Sequence, residues 1–199
     1  MKSGRIGVFL DRDGTLNEEV DFVRSPDQLR MIDGAAAAVR RLNDLGVVTC
    51  VISNQSGVAR GFMTEEDLVP IHAKLELELD RGGARVDAIY YCPHHPTAGI
   101  PLYKIECECR KPKPGMLLRG AREFGIDLKK SFVVGDSLVD MQAGTSVGAA
   151  TVLVLTGYGK SALESCRQLN IKIDNVAETI SEAVDFIALR LKGEMEPHE

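Results

Sequence analysis

Five short segments of this chain, residues 6–10, 47–53, 86–91, 131–135 and 151–155, are apolar along most of their length, and several do not alternate with polar residues. A strand with one wet face alternates. A strand covered on both faces does not, and that pattern belongs to parallel sheets flanked by helices. The intervening stretches at 34–45, 64–81, 114–124, 138–147 and 177–191 carry helical signals. Gly46 follows the first as a C-cap, Thr64-Glu-Glu-Asp opens the second as a capping sequence, and Gly125 closes the third. The alternation predicts an α/β domain: a three-layer, Rossmann-like parallel sheet sandwiched between helices. With 199 residues, a single domain over 1–192 is expected, followed by a polar tail at 193–199. Residues 92–112 break the rhythm, with four prolines and neither period. A loop that long inside a compact domain is functional, disordered or stapled by a metal.

Composition excludes several classes. The chain is 44% hydrophobic and 27% charged, ordinary for a globular protein, and its net charge of −5 argues against a general nucleic-acid binder. No apolar run approaches the roughly 20 residues that cross a bilayer. Met-Lys-Ser-Gly-Arg leads into a short apolar stretch ending in aspartate, which does not read as a secretory signal, so the cytoplasm is the expected compartment. Without a long apolar stripe on the surface, a monomer is expected. The five cysteines do not make a disulfide framework. Cys50 falls in an apolar strand and Cys166 in a late polar helix, whereas Cys92, Cys107 and Cys109 share the proline-rich loop and point to a metal.

Three strand ends and one segment ahead of a helix carry the chemistry. Val-Phe-Leu-Asp11-Arg-Asp13-Gly-Thr sets two carboxylates one residue apart where a strand stops. By itself Asp13-Gly14 also reads as a tight turn. Ser53-Asn54-Gln55-Ser56-Gly57 offers a hydroxyl and backbone N–H groups to an anion, or a helix cap. Arg110-Lys111-Pro-Lys-Pro-Gly holds three cations in a stiff segment, suited to phosphate oxygens or to solvent. Val-Val-Gly-Asp136-Ser-Leu-Val-Asp140 ends another strand on a carboxylate, with Asp140 placed to stabilise a helix N-terminus. In a parallel sheet such loops gather along one edge. Nucleophilic carboxylate, second acid, hydroxyl, cation and metal carboxylate are together the parts phosphoryl transfer requires.

Through D-x-D-G-T, the strand-end Ser, Lys-Pro and G-D-x-x-x-D, residues 5–155 resemble the haloacid dehalogenase (HAD) superfamily of phosphohydrolases. The resemblance implies that Asp11 forms an aspartyl-phosphate and that Asp13 protonates the leaving oxygen, then deprotonates water. It implies Mg²⁺ held by Asp11, the Asp13 carbonyl and Asp136, with Ser53 and Lys111 on the phosphoryl group. Cys92-x-His94 and Cys107-x-Cys109 supply three thiolates and an imidazole, a closed tetrahedral set for a structural Zn²⁺ in the loop 92–109, with His95 the rival to His94. The spacing from Asp13 to the first helix, and from Ser53 to Lys111, leaves no room for an inserted cap domain. A capless site is therefore expected, walled by the metal loop and residues 17–30.

D-R-D-G-T, S-N-Q-S-G-V-A-R-G, Y-Y-C-P-H-H-P and C-R-K-P-K-P-G-M look like the heptose-bisphosphate phosphatases within that superfamily. Histidinol-phosphate phosphatases share the metal loop. That branch implies substrate contacts from Glu19, Val20, Asp21 and Phe22, from Ser53, Asn54, Gln55 and Ser56, and from Arg110 and Lys111. The chain departs from the branch in lacking a Gly-Tyr pair at 19–22 and in having Ser137 where a lysine often stands. The expected partner is a small phosphorylated sugar. Histidinol phosphate is the alternative substrate, with a nucleic-acid 3′-phosphatase and a non-catalytic metal-loop module as remoter readings.

Overall fold

The segment Gly7–Leu10 (β1) is buried at every position because it lies at the centre of a sheet with helices on both faces. The computed structural model describes residues 4–195. Around β1 stand β2 (Val48–Asn54), β3 (Ala88–Cys92), β4 (Phe132–Gly135), β5 (Ala150–Val154) and β6 (Asn175–Ala177), in the order β3-β2-β1-β4-β5-β6. Every neighbouring pair is parallel. The helices are α1 (Ala35–Asp44), α2 (Ser56–Ala59), α3 (Glu65–Arg81), α4 (Gly115–Phe124), α5 (Leu138–Ser146), α6 (Gly159–Gln168) and α7 (Ile180–Met195).

Successive side chains of a strand point to opposite faces, and β1 shows what each face meets. Val8 and Leu10 join Val39 of α1, Ile71 and Leu75 of α3 and Ile187 of α7 in one core. Phe9 joins Met116 and Leu117 of α4 and Ala143 of α5 in a second. Met141, Leu153, Ala162 and Cys166 form a third beneath α6. The expected three-layer architecture is observed. Thr64 caps α3 in a reciprocal box with Asp67, as its sequence indicates.

Four details depart from the sequence expectation. The segment 177–191 is not one helix: Ala177 closes the edge strand β6, and α7 begins at Ile180. Residues 193–195, expected in the polar tail, instead continue α7 to Met195; the remaining expected tail, 196–199, lies outside the described residues. Cys92 is not a loop residue. It is the last residue of β3 and fully buried, because it pairs with Asn54 of β2. The short helix α2 follows the Ser53 strand end directly.

The order places the central crossover between β1 and β4, where the strand sequence reverses direction. Ligands of open α/β sheets bind outside the carboxyl ends at such a point. No described helix is long and apolar enough to cross a membrane.

His72 on α3 supplies a pH signature for this fold. Its ring lies 5.4 Å from that of Tyr91, and its Nε2 is buried without a hydrogen-bond partner. Burial, reinforced by the Arg12 guanidinium and opposed by Asp13, lowers the imidazole from its ordinary 6.5 to about 4. Below 6.5 the unfolded chain binds a proton that the folded chain refuses until about 4, so stability falls as pH drops through that window. Urea midpoints across it should decline less steeply in His72→Gln than in the parent; an identical slope would contradict the assignment.

Candidate active site

Asp11 leaves β1 with its N–H donating to the Val134 carbonyl at 2.9 Å, so the residue is pinned between β1 and β4. Its Oδ1 accepts from Lys111 Nζ at 2.7 Å. That ammonium also donates to the Ile52 carbonyl at 2.8 Å and lies 2.6 Å from Asp140 Oδ1. Lys111 is 3% exposed, too deeply placed to be the solvated basic turn that its sequence also allows. Burial alone would weaken its charge; Asp11 and Asp140 outweigh that and hold the ammonium protonated.

Asp136 directly follows β4. Its Oδ2 accepts from the Tyr158 N–H at 2.8 Å. Gly14 (φ +76°) and Gly157 (φ +50°) close around it, and a Cβ at either would lie 2.1 Å from Asp136 Oδ2. These two positions therefore need both the left-handed backbone and the missing side chain.

Asp140 does more than stabilise a helix end. Its Oδ2 accepts from the Ser137 N–H and hydroxyl in a capping box, while Oδ1 faces Lys111. Asp11, Asp136 and Asp140 thus each offer an oxygen within 4.8 Å of the others, all three buried. One ammonium does not balance three carboxylates. Burial and Asp140 push the Asp11 carboxyl well above its usual range, Lys111 opposes this, and Asp136 adds to it. Burial likewise lifts Asp136 to about 7, despite its backbone hydrogen bond. A set of hard oxygen donors short of positive charge fits a divalent cation such as Mg²⁺.

Asp13 has the opposite environment. Arg12 Nε and Nη2 donate to its Oδ1 at 3.1 and 2.9 Å, and Asn17 Nδ2 donates to the same oxygen at 3.0 Å. Gln55 Nε2 donates to Oδ2 at 2.8 Å. Burial would raise this carboxyl; Arg12, Asn17 and Gln55 together hold it below the ordinary value. The two carboxylates one residue apart are thus driven in opposite directions by different neighbours.

The strand end of β2 completes the constellation. Ser53 faces the same cavity as Asp11, Asp13, Lys111 and Asp136, a space of about 140 Å³. Asn54 does not aim only at a ligand: its amide grips the Lys111 backbone, accepting from the N–H and donating to the carbonyl, both at 3.0 Å. A larger cavity of about 530 Å³ adjoins and shares Glu19, Asp21 and Tyr158 with the first. Val20 also lines it. Phe22 lines neither; it stacks edge-on against Phe62 at 5.0 Å. Ser56 opens α2 and lines neither cavity either. Arg110 lines a third cavity of about 260 Å³ with Lys111 and Lys113.

The proline-rich loop brings together the four ligand atoms expected there. Cys92 Sγ lies 3.5 Å from Cys107 Sγ and 3.1 Å from Cys109 Sγ, with Cys109 and Cys107 3.4 Å apart. His94 Nδ1 stands 3.7 Å from Cys92 Sγ and 3.5 Å from Cys109 Sγ. Zn²⁺ with bonds of about 2.3 Å needs tetrahedral edges of roughly 3.7 Å, so the set is slightly tight but of the right shape. His95 is engaged elsewhere, its Nδ1 accepting from Ala98 at 3.0 Å and its Nε2 facing Arg60. The His94 carbonyl accepts from Arg110 Nη1 at 3.1 Å, which ties this corner to the basic segment.

Sequence reasoning missed Arg12, Asp140 and Tyr158 as parts of the site. For Asp140 the signal was present: it lies one helical turn beyond Asp136, on the side facing the strand end.

A family model described as HAD-hydrolase-like matches residues 108–183. The D-glycero-beta-D-manno-heptose-1,7-bisphosphate 7-phosphatase of Photorhabdus laumondii is 42% identical over 179 residues, covering 89% of this chain and 95% of the relative. The D-glycero-D-manno-heptose-1,7-bisphosphate 7-phosphatase of Thermosynechococcus vestitus is 40% identical over 191 residues, covering 94% and 97%. The crystal structure of D,D-heptose 1,7-bisphosphate phosphatase from B. bronchiseptica, complexed with magnesium and phosphate, superposes with a TM-score of 0.82 at 37% identity, covering 92% of this chain and 98% of that one.

The glycine cradle yields a direct check. Gly157→Ala should displace the Asp136 carboxylate and raise the Mg²⁺ concentration needed for half-maximal turnover by about tenfold or more, as perturbed outer-shell residues do. An unchanged Mg²⁺ dependence would refute the cradle. With its geometry and its relatives in agreement, this chain belongs to the family of HAD-like heptose-1,7-bisphosphate 7-phosphatases.

Proposed function

We propose that this phosphatase removes the C7 phosphate of D-glycero-D-manno-heptose 1,7-bisphosphate, within heptose nucleotide precursor synthesis, as a cytoplasmic monomer that engages neither nucleic acid nor membrane. The observation that carries the reaction is the convergence of Asp11, Asp13, Ser53, Lys111 and Asp136 on one small cavity, with Lys111 donating to Asp11 and Arg12 to Asp13.

An Asp11 carboxylate oxygen forms a bond to phosphorus as the bond from phosphorus to the C7 oxygen breaks. The departing sugar oxygen takes its proton from Asp13. A water molecule then attacks phosphorus and gives its proton to Asp13, and the bond from phosphorus to Asp11 breaks, returning both carboxylates to their starting state. Ser53 and Lys111 hold the phosphoryl oxygens, whose negative charge is the main electrostatic demand. The side chains of Asp11 and Asp136 with the main-chain carbonyl of Asp13 would hold Mg²⁺, which lowers the repulsion between a carboxylate and an anionic phosphate. Zn²⁺ on Cys92, His94, Cys107 and Cys109 would order the loop that delivers Arg110 and Lys111.

Charge around the catalytic cavity supports a bisphosphate. The Arg110 side offers two cations, Arg110 and Lys113, beside Glu106 to a phosphate that is retained, while the larger cavity, lined by Glu18, Glu19 and Asp21, suits hydroxyl groups. Those acids would also attract the ammonium of histidinol phosphate, the alternative substrate. Steady-state phosphate release decides between them. Heptose 1,7-bisphosphate, supplied as each anomer, is expected to exceed histidinol phosphate in kcat/KM by at least about tenfold. Preference for histidinol phosphate would overturn the substrate assignment while leaving the reaction class intact.

A further inference from the structure

Gln55 stands among the residues expected to contact substrate, yet it is 4% exposed and lines none of the three cavities at the site. Its amide is fully committed within the protein. Oε1 accepts from Arg12 Nη2 at 3.2 Å, and Nε2 donates to Asp13 Oδ2 at 2.8 Å and to Ser53 Oγ at 2.6 Å. A guanidinium only donates, so Oε1 must face Arg12 and the NH₂ must face Asp13 and Ser53. The amide orientation follows from its partners.

Two consequences reach the reacting atoms. In its contact with Gln55, Ser53 Oγ is the acceptor, so its own proton is free to point into the cavity that Ser53 lines. At Asp13, Oδ1 already accepts three hydrogen bonds, from Arg12 Nε, Arg12 Nη2 and Asn17 Nδ2. Oδ2 accepts the Gln55 amide alone and keeps a lone pair for a proton.

We propose that Gln55 is a positioning residue: it makes Asp13 Oδ2 the oxygen that carries the transferred proton and turns the Ser53 hydroxyl into a donor toward the phosphoryl group. This inference rests on the phosphatase mechanism above. In the first step the Oδ2 proton passes to the leaving oxygen; in the second a water proton returns to Oδ2.

The test is Gln55→Met, which keeps the length of the side chain and removes both donors. With heptose 1,7-bisphosphate, kcat should fall about tenfold or more while KM stays within about threefold, as for loss of an acid–base contribution rather than of binding. With aryl phosphates of one ring size, kcat/KM for phenyl phosphate should fall by a larger factor than for p-nitrophenyl phosphate, whose leaving oxygen needs less help from an acid. A raised KM with unchanged kcat would make Gln55 a substrate contact and overturn the proposal. Equal losses on the two aryl phosphates would overturn it as well. If the methionine variant does not fold, Gln55→Glu reads the same contrast, because it keeps the Arg12 contact and places a carboxylate against Asp13. Asp11→Asn, assayed in parallel, separates the two levels. An inactive Asp11→Asn beside an unaffected Gln55→Met defeats the positioning role alone, whereas an active Asp11→Asn defeats the covalent reading with it.

Discussion

One buried ammonium holds the site together. Lys111 Nζ meets Asp11 from β1, the Ile52 carbonyl from β2 and Asp140 from α5, so three elements converge on one cation. Removing three acceptors and an ammonium from water is costly, and such a group is tolerable only when every proton finds a partner. Here all three do. The arrangement still leaves two carboxylates in excess, and the upward shifts of Asp11 and Asp136 are the physical expression of that excess. The same imbalance that costs stability prepares a site for a cation and for a substrate that brings its own charge.

Placing Lys111 is a long-range problem, since it lies 100 residues from Asp11 in sequence. The strand end of β2 solves it. Asn54 grips the Lys111 backbone on both sides, and the Gln55 N–H donates to the Cys92 carbonyl at 2.8 Å. Cys92 in turn begins the four-ligand cluster, and Arg110 is tied to the His94 carbonyl. The metal loop and the catalytic edge are therefore one connected structure. A metal held by the four-ligand cluster would also set the basic segment that follows it.

Much of this was legible in the sequence, for reasons that differ by element. The central strands were readable because parallel strands covered on both faces must be apolar throughout, as β1 and β4 are. The edge strand β6 was not: its three residues include Val176 at 41% exposure, so burial imposes no pattern on it. The boundaries of α6 were obscure because only Gly159, Ala162 and Cys166 are buried along it, a stripe too thin to show a period. At the site, Asp11, Asp13, Ser53 and Asp136 announced themselves by standing at strand ends, and Lys111 by its cationic, proline-bounded segment ahead of α4. Arg12 escaped, and Gln55 reads in the sequence as a substrate contact, because their work is lateral: they touch other side chains rather than a cavity, and their partners come from separate loops. Asp140 was half seen. Its helix-capping geometry is local and readable, while its contact with Lys111 exists only once the chain is folded.

The covalent role of Asp11 is the claim on which the rest of the mechanism depends. Rapid acid quench of a single turnover, followed by peptide mapping, tests it most directly. A phosphoryl group that appears transiently on the peptide containing Asp11, and disappears as phosphate is released, is the predicted result. Phosphate release with no labelled peptide at any time, or label on a different residue, would contradict it.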